Sequence, residues 1–176
     1  MGFFKEELKN IKAFIFDVDG VLSLDATPLN AEGDPMRTAN VKDGFAIRIA
    51  LEKGYQVAII TGGNVRTVRL RHEKLGVKYY YDKVRDKVES LNDFMSKTGI
   101  NAENILFMGD DLVDYQIMLE VGIPVCPKDA VPEIKAISKY ISEKNGGEGC
   151  ARDVIEQTLR AQDKWFTEDM LYNNAF

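Results

Sequence analysis

Short, continuous apolar runs alternate with helical segments along the chain, and this alternation strongly constrains the fold. The runs lack the polar alternation of a half-buried strand, so both faces of each strand are expected to be buried. Five strands are predicted, at residues 13–16, 55–60, 77–81, 105–108 and 123–125. Helical segments are predicted at residues 44–53, 65–75, 87–97, 115–121, 131–138 and 153–165. The pattern therefore predicts an α/β fold with a doubly wound, Rossmann-like parallel sheet.

The size and composition of the chain suit a single globular domain. It has 176 residues, 45% of them hydrophobic and 29% charged, so residues 1–176 are predicted to form one domain. The formal net charge of −5 disfavours a partner such as nucleic acid or an anionic membrane. Two cysteines, Cys126 and Cys150, are too few for a disulfide scaffold. Because neither a signal peptide nor a membrane-spanning run is evident, we expect a cytoplasmic protein.

The segment after the first strand is predicted to be a loop or hairpin. Residues 23–43 contain Pro28, Gly33 and Pro35, and residues 30–34 have the composition of a turn. We therefore expect a β-hairpin flap next to the end of the first strand.

Polar residues follow the strands at the points where they end. Asp17 and Asp19 follow the first strand, Thr61 follows the second, and Asp110 leads a carboxylate cluster after the fourth. In a doubly wound sheet these ends converge on one crevice. Clustered carboxylates repel one another, and oxygen ligands without His or Cys favour Mg²⁺ over zinc. The sequence thus predicts a magnesium site.

These residue types also suit phosphoryl transfer. Asp17 is placed to be the nucleophile that forms an aspartyl-phosphate, and Asp19 suits general acid–base work. Thr61 and the backbone N–H of Gly62 can donate to phosphate oxygens. Lys87, at the start of its own helix, is the candidate for balancing the negative charge.

Four sequence motifs in order resemble those of the haloacid dehalogenase superfamily. They are Asp17-Val18-Asp19-Gly20-Val21, Ile60-Thr61-Gly62, Lys87, and Gly109-Asp110-Asp111 followed by Asp114. The resemblance implies that Asp17 is the nucleophile and a metal ligand. It implies that Asp19 is the acid–base residue and binds the metal through its backbone carbonyl. Asp110 would complete the metal ligands, with Asp111 and Asp114 behind them.

Residues 20–60 and 62–86 leave no room for the cap domain of many superfamily members. Together with residues 40–44 and the late Gly146–Gly149 loop, this resembles the capless phosphatases of 3-deoxy-D-manno-octulosonate 8-phosphate (KDO 8-phosphate). The resemblance implies a Mg²⁺-dependent phosphatase in lipopolysaccharide precursor biosynthesis, forming a homotetramer whose neighbouring subunits cover the active site. We expect the apolar tail, residues 165–176, to dock on a neighbouring subunit. The residues implied to contact substrate are Asp19, Asn40, Val41, Lys42, Asp43, Gly44, Arg48, Gly62, Arg71 and Lys87.

One departure leaves the sugar open. The family usually has Arg directly after the Thr-Gly of its second motif, whereas this chain has Gly63; Arg66, one helical turn later, is a candidate replacement. One alternative is a phosphatase of KDN 9-phosphate or acylneuraminate 9-phosphate. Another is a non-catalytic oligomerisation module related to the C-terminal domains of cytidylyltransferases. His72, the only histidine, is expected at the surface or an interface.

Overall fold

A computed structural model describes residues 2–166, with side chains from residue 4 onward. Its strands are β1 (Ala13–Phe16), β2 (Gln56–Ile60), β3 (Tyr79–Tyr81), β4 (Ile105–Met108), β5 (Ile123–Cys126) and β6 (Tyr140–Ile141). Its α-helices are α1 (Gly2–Glu7), α2 (Val41–Glu52), α3 (Arg66–Leu75), α4 (Lys87–Thr98), α5 (Tyr115–Glu120), α6 (Pro132–Ile137) and α7 (Cys150–Ala161). No helix in this part of the chain is long and apolar enough to cross a membrane.

The six strands form one parallel sheet in the order β3-β2-β1-β4-β5-β6. The chain winds outward in one direction from β1 to β3 and in the other from β4 to β6. A crevice therefore opens beyond the carboxyl ends of β1 and β4, where such folds bind their ligands. The predicted doubly wound α/β architecture is confirmed.

The two faces of β1 explain its continuous apolar sequence. Phe14 and Phe16 point into one core cluster, formed with α2 and α7, and Ala13 and Ile15 point into the other, formed with α4, α5 and α6. All four side chains are fully buried. Burying a large apolar side chain contributes about 1.5–3 kcal/mol, so this strand is a rigid base for the polar loop that follows it.

Two helices begin earlier than the sequence predicts. Helix α2 starts at Val41 because the side chain of Asn40 accepts hydrogen bonds from the backbone N–H groups of Lys42 and Asp43, an ordinary helix N-cap. Helix α7 starts at Cys150, directly after Gly149. Residues 40–44 are therefore a helix start instead of a loop.

The flap segment is compact but nearly without regular structure. One isolated antiparallel bridge joins Leu29 to Pro35. It closes over a turn in which the side chain of Asn30 accepts from the backbone N–H groups of Glu32 and Asp34. A hairpin with two paired strands stays a prediction. Of the predicted apolar tail, residues 167–176 lie outside the described part of the chain.

Candidate active site

The ends of β1, β2 and β4 meet at a pocket of about 430 Å³. Each strand has a different polar loop at its end, so the parallel sheet brings distant sequence segments to one edge. Its wall contains all four predicted catalytic residues and the predicted metal ligand Asp110. The lining residues are Asp17, Asp19, Asp25, Arg37, Thr61, Gly62, Gly63, Val84, Arg85, Lys87, Asp110, Asp111 and Val113.

Lys87 joins two buried carboxylates at the base of this pocket. Its Nζ lies 2.8 Å from Oδ2 of Asp17 and 2.6 Å from Oδ1 of Asp114, and all three residues are buried. Burial raises the pKa of Asp17 to about 7 even though the Lys87 ammonium favours its charged form. Burial opposes the charge on Lys87, but the two carboxylates raise its pKa above the usual value.

Asp114 also holds the backbone of the loop after β4. Its Oδ2 accepts from the N–H of Asp110 at 3.0 Å, and a Cβ on Gly109 would overlap its side chain. Asp111 is exposed and caps the following turn through the N–H of Leu112. Asp114 therefore supports this loop, whereas the Asp111 side chain is on the surface; their place behind the metal ligands stays a prediction.

The structure supports a cation site among carboxylates. Asp17, Asp110 and Asp114 each have an oxygen within 4.8 Å of the others, and all three residues are buried. Burial, followed by repulsion from Asp114 and Asp17, raises the pKa of Asp110 to about 8. A divalent cation relieves this repulsion, and a set of carboxylate oxygens without nitrogen or sulfur suits Mg²⁺. Gly20, with φ of 71°, allows Asp110 this position, because a Cβ there would overlap its carboxylate.

The side chain of Asp19 has a partner that the sequence did not reveal. Arg37 of the flap segment donates from Nε to Oδ1 of Asp19 at 2.8 Å and from Nη2 to Oδ2 at 3.0 Å. Such a two-pronged pair fixes both position and orientation. Arg37 is the only basic residue of residues 21–41, and that isolation is the one signal that could have identified it.

The loop after β2 is fixed from both sides. Thr61 Oγ1 accepts from the N–H of Gly63 at 3.0 Å, and Lys83 and Val84 donate their backbone N–H groups to the carbonyls of Gly63 and Thr61. Since α3 begins at Arg66 with Val65 as its N-cap, Thr61 does not cap that helix. Thr61 instead lines the pocket.

Gly63 lies beside Arg37 in this arrangement. A Cβ on Gly63 would lie 3.2 Å from Nη2 of Arg37 and 3.5 Å from Oδ2 of Asp19. The guanidinium near position 63 is therefore supplied by Arg37. Arg66, the candidate replacement from the sequence, does not line the pocket.

The late glycine loop, Gly146–Gly149, packs directly on the loop after β1, residues 17–22. Gly147 donates its N–H to the carbonyl of Val21 at 2.8 Å, and Asn40 donates from Nδ2 to the carbonyl of Gly147 at 3.1 Å. A Cβ on Gly146 would overlap the carbonyl oxygen of Gly20. This loop is thus part of the site's framework.

A second cavity, of about 220 Å³, lies between α2, α3 and the flap and shares Arg37 with the first. It brings together Asn40, Asp43, Gly44 and Arg71, all predicted substrate contacts. Arg71 lies over Gly44, where a Cβ would be 2.8 Å from its Nη2. A side chain at position 44 would therefore displace the guanidinium of Arg71 from its present place.

Asp43 has a structural partner in α7. Its Oδ1 accepts from the N–H of Arg152 at 2.7 Å, which caps the first turn of α7 from another helix. Its Oδ2 is buried without a hydrogen-bond partner among the described residues. Burial raises the pKa of Asp43 to about 6, although the backbone N–H groups of Arg152 and Gly149 oppose the shift.

Three predicted substrate contacts lie outside both cavities. Val41 is 76% exposed, Lys42 is exposed, and Arg48 pairs with Glu52 one helical turn away at 2.9 Å. The surface assignment of His72 is wrong. Its ring is buried, with Nδ1 2.9 Å from the carbonyl of Val68, because this face of α3 turns toward Tyr80 of the sheet.

Comparisons with known proteins agree with this geometry. A family model described as haloacid dehalogenase-like hydrolase matches residues 80–153. The 3-deoxy-D-manno-octulosonate 8-phosphate phosphatase KdsC of Escherichia coli K12 is 37% identical over 156 residues, covering 89% of this chain and 83% of the relative. The KdsC protein of Yersinia pestis is 34% identical over 155 residues, covering 88% of this chain and 83% of that relative.

Solved structures are similar over nearly the whole chain. The 3-deoxy-D-manno-octulosonate 8-phosphate phosphatase of Moraxella catarrhalis, in complex with magnesium, phosphate and KDO, has a TM-score of 0.89 and 33% identity. The match covers 94% of this chain and 95% of the Moraxella catarrhalis chain. The 3-deoxy-D-manno-octulosonate 8-phosphate phosphatase of Yersinia pestis has a TM-score of 0.88 and 32% identity. The match covers 92% of this chain and 87% of the Yersinia pestis chain.

Proposed function

The chain belongs to the KDO 8-phosphate phosphatase family of haloacid dehalogenase-like hydrolases, and we propose from this that Asp17 is the residue that takes the phosphoryl group. The enzyme is a Mg²⁺-dependent phosphatase that converts KDO 8-phosphate to KDO and phosphate. The observation that carries the assignment of Asp17 is the buried contact of its carboxylate with Lys87 at the carboxyl end of β1.

Asp17, Asp110 and the backbone carbonyl of Asp19 would hold the Mg²⁺ ion. When bound, the ion neutralises the charge that gathers on the phosphoryl oxygens and on the surrounding carboxylates. The raised pKa of Asp110 supports this site, because a carboxyl group that resists ionisation alone becomes a good ligand when a cation is present.

In the first half of the reaction, one oxygen of Asp17 attacks phosphorus. The bond between phosphorus and the sugar oxygen breaks, and Asp19 gives its proton to that oxygen, which leaves as the hydroxyl of KDO. Lys87 favours the ionised form of Asp17. Thr61 and Gly62 line the same pocket, and the Thr61 hydroxyl and the Gly62 N–H would bind phosphoryl oxygens there.

In the second half, Asp19 takes a proton from water, whose oxygen attacks the phosphorus of the aspartyl-phosphate. The acyl phosphate bond breaks, phosphate is released and Asp17 is restored. Asp19 therefore acts once as acid and once as base. Arg37 orients the side chain of Asp19 through hydrogen bonds to both of its oxygens.

We assign the second cavity to the hydroxyl-bearing side of the sugar ring, so that the carboxylate of the sugar acid stays at the rim of the phosphate pocket. It adjoins the phosphate pocket through Arg37 and has Asn40 and Arg71 in its wall. Asp43 closes the cavity at α7 and contributes to its shape. Val41, Lys42 and Arg48 are exposed and line neither cavity, so their substrate contacts would be with the site of another subunit.

We also propose that the enzyme is a homotetramer in the cytoplasm, with each subunit covering its neighbour's site. Leu112 and Val113 beside the pocket are 58% and 69% exposed, and Val41 is similarly exposed on α2. Apolar side chains around a catalytic opening favour cover by another protein surface. Light scattering on the purified protein measures the mass, and a monomer would contradict the tetramer.

One alternative substrate is supported by a specific observation. Gly63 changes the rim of the pocket, and a KDN or acylneuraminate 9-phosphate would present a different sugar there. The oligomerisation module without catalysis is disfavoured, since the contacts of Asp17, Asp19 and Lys87 are all in place.

Phosphate release tests the function directly. The substrates are KDO 8-phosphate, KDN 9-phosphate and ordinary sugar phosphates, each with Mg²⁺ and with EDTA. We expect a strong preference for KDO 8-phosphate that EDTA abolishes. A preference for KDN 9-phosphate would support the alternative substrate, and no turnover by folded, Mg²⁺-loaded protein would support the oligomerisation module.

A further inference from the structure

We infer that Arg85 is a specificity-determining residue, which binds the carboxylate of the sugar-acid substrate at the rim of the phosphate pocket. The inference rests on the proposed function, because it concerns the second anionic group of that substrate. Three cationic side chains line the pocket: Arg37, Arg85 and Lys87. These three side chains differ in whether they already have a carboxylate partner, and this difference indicates Arg85.

Arg37 and Lys87 already have carboxylate partners. Arg37 makes two hydrogen bonds to Asp19, and Lys87 contacts Asp17 and Asp114. Arg85 is exposed, and within residues 2–166 no ion pair or hydrogen bond to its side chain is found. It is therefore the cation of this pocket whose donors are available to a ligand.

The backbone around Arg85 is fixed on both sides. The N–H of Val84 donates to the carbonyl of Thr61 at 3.1 Å, and the side chain of Asp86 caps α4 through the N–H groups of Val88 and Glu89. Lys83 adopts a left-handed conformation, with φ of 55°, which turns the chain at this point. Arg85 is thus held at a set place beside the phosphate-binding loop.

The charge of the pocket explains why a second anion needs this residue. Five carboxylates line it, at positions 17, 19, 25, 110 and 111. An ordinary sugar phosphate brings one anionic group, which goes to the buried end with Asp17 and Lys87. A sugar-acid phosphate brings a carboxylate as well, and near the rim that group would meet Asp25 and Asp111. A guanidinium offers the planar, two-pronged geometry that binds a carboxylate.

Arg85→Gln tests the inference, with Arg66→Gln as the matched control because Arg66 is an exposed arginine that does not line either cavity. We expect Arg85→Gln to lower kcat/KM for KDO 8-phosphate about tenfold to a hundredfold, mainly through KM, because a hydrogen bond to a charged group is lost. Activity on p-nitrophenyl phosphate, which has no carboxylate, should change less than about twofold. Arg85→Lys should restore part of the loss.

Two results would overturn the inference: an unchanged kcat/KM for KDO 8-phosphate, or an equal loss on p-nitrophenyl phosphate. Failure of the proposed substrate is distinguishable, since the wild type would then hydrolyse p-nitrophenyl phosphate but not KDO 8-phosphate. In that case 6-phosphogluconate and glucose 6-phosphate form the test pair. Reduced preference for 6-phosphogluconate in Arg85→Gln supports the carboxylate contact, and an unchanged preference refutes it.

Discussion

The ammonium of Lys87 lies 2.6 Å from a carboxylate oxygen of Asp114, and both side chains are buried. The same ammonium contacts Asp17, the proposed nucleophile. Asp114 in turn accepts from the backbone of Asp110. Lys87 therefore balances the charge of Asp17 and, through Asp114, also supports the loop after β4.

Lys87→Gln should destabilise the protein by about 3–5 kcal/mol, because two buried carboxylates lose their cation. Urea unfolding measures the change. The matched control is Lys97→Gln on the same helix, whose partner Asp93 is at the surface, and it should have little effect. Equal effects of the two substitutions would show that Lys87 is not the main group that stabilises the buried charges of Asp17 and Asp114.

Asp17→Asn should lower kcat at least about a thousandfold, because an amide is a poor nucleophile toward phosphorus. Circular dichroism should show a folded protein, since the change preserves side-chain shape. Asp34→Asn, in the exposed flap turn, is the control and should keep wild-type activity. Wild-type turnover by Asp17→Asn would assign the nucleophile to another residue.

Arg37→Gln should lower kcat for KDO 8-phosphate about tenfold, because Asp19 loses both contacts that orient it. The loss should be much smaller for p-nitrophenyl phosphate, whose leaving group does not need a proton. Arg37→Lys should recover part of the rate. An equal loss on both substrates would mean that Arg37 acts on the phosphoryl group instead of through Asp19.

Gly146→Ala should reduce activity strongly, because the new Cβ would overlap the carbonyl of Gly20 and displace the loop that carries Asp17 and Asp19. Gly54→Ala is the control. Gly54 has φ of 87° and open space around its Cβ position, so the substitution should reduce stability by about 1 kcal/mol without changing kcat. Wild-type kcat in Gly146→Ala would show that the two loops are not mechanically coupled.

Asp43 predicts a pH dependence of stability. Its folded-state pKa of about 6 exceeds the unfolded value of about 3.9, so the folded state binds the proton more tightly. Its contribution to stability is therefore present below about pH 4 and is lost as the pH rises through about 6. The amide side chain of the variant Asp43→Asn stays neutral at both pH values. The free energy of unfolding of Asp43→Asn minus that of the wild type should therefore increase by about 2–3 kcal/mol between pH 4 and pH 7. Urea unfolding at both pH values measures this, and a pH-independent difference would contradict it.

The sequence predicted the sheet and the cluster of carboxylates at its edge for a common reason. A strand buried on both faces must be apolar throughout, so the apolar run Ala13–Phe16 predicted a strand. The polar residues directly after it then marked the end of that strand. Parallel strands then place those residues at one edge. Periodicity and strand ends are local signals, and a single sequence contains them.

Other parts of the site depend on contacts between distant residues. Arg37 reaches Asp19 from an irregular segment, and Asp43 binds the backbone of Arg152 in α7. Nothing in the local pattern indicates such partners. The burial of His72 likewise follows from the packing of α3 against Tyr80 and not from its neighbours in sequence.

The contact of the late glycine loop with the loop after β1 links distant parts of the chain. Cys150 and Gly147 both bond to the carbonyl of Val21, and Cys150 lies 129 positions further along the sequence. All four motifs come before residue 146, so none of them supplies these contacts. We therefore expect local unfolding around residues 146–150 to lower activity even while the sheet and the four motifs stay folded.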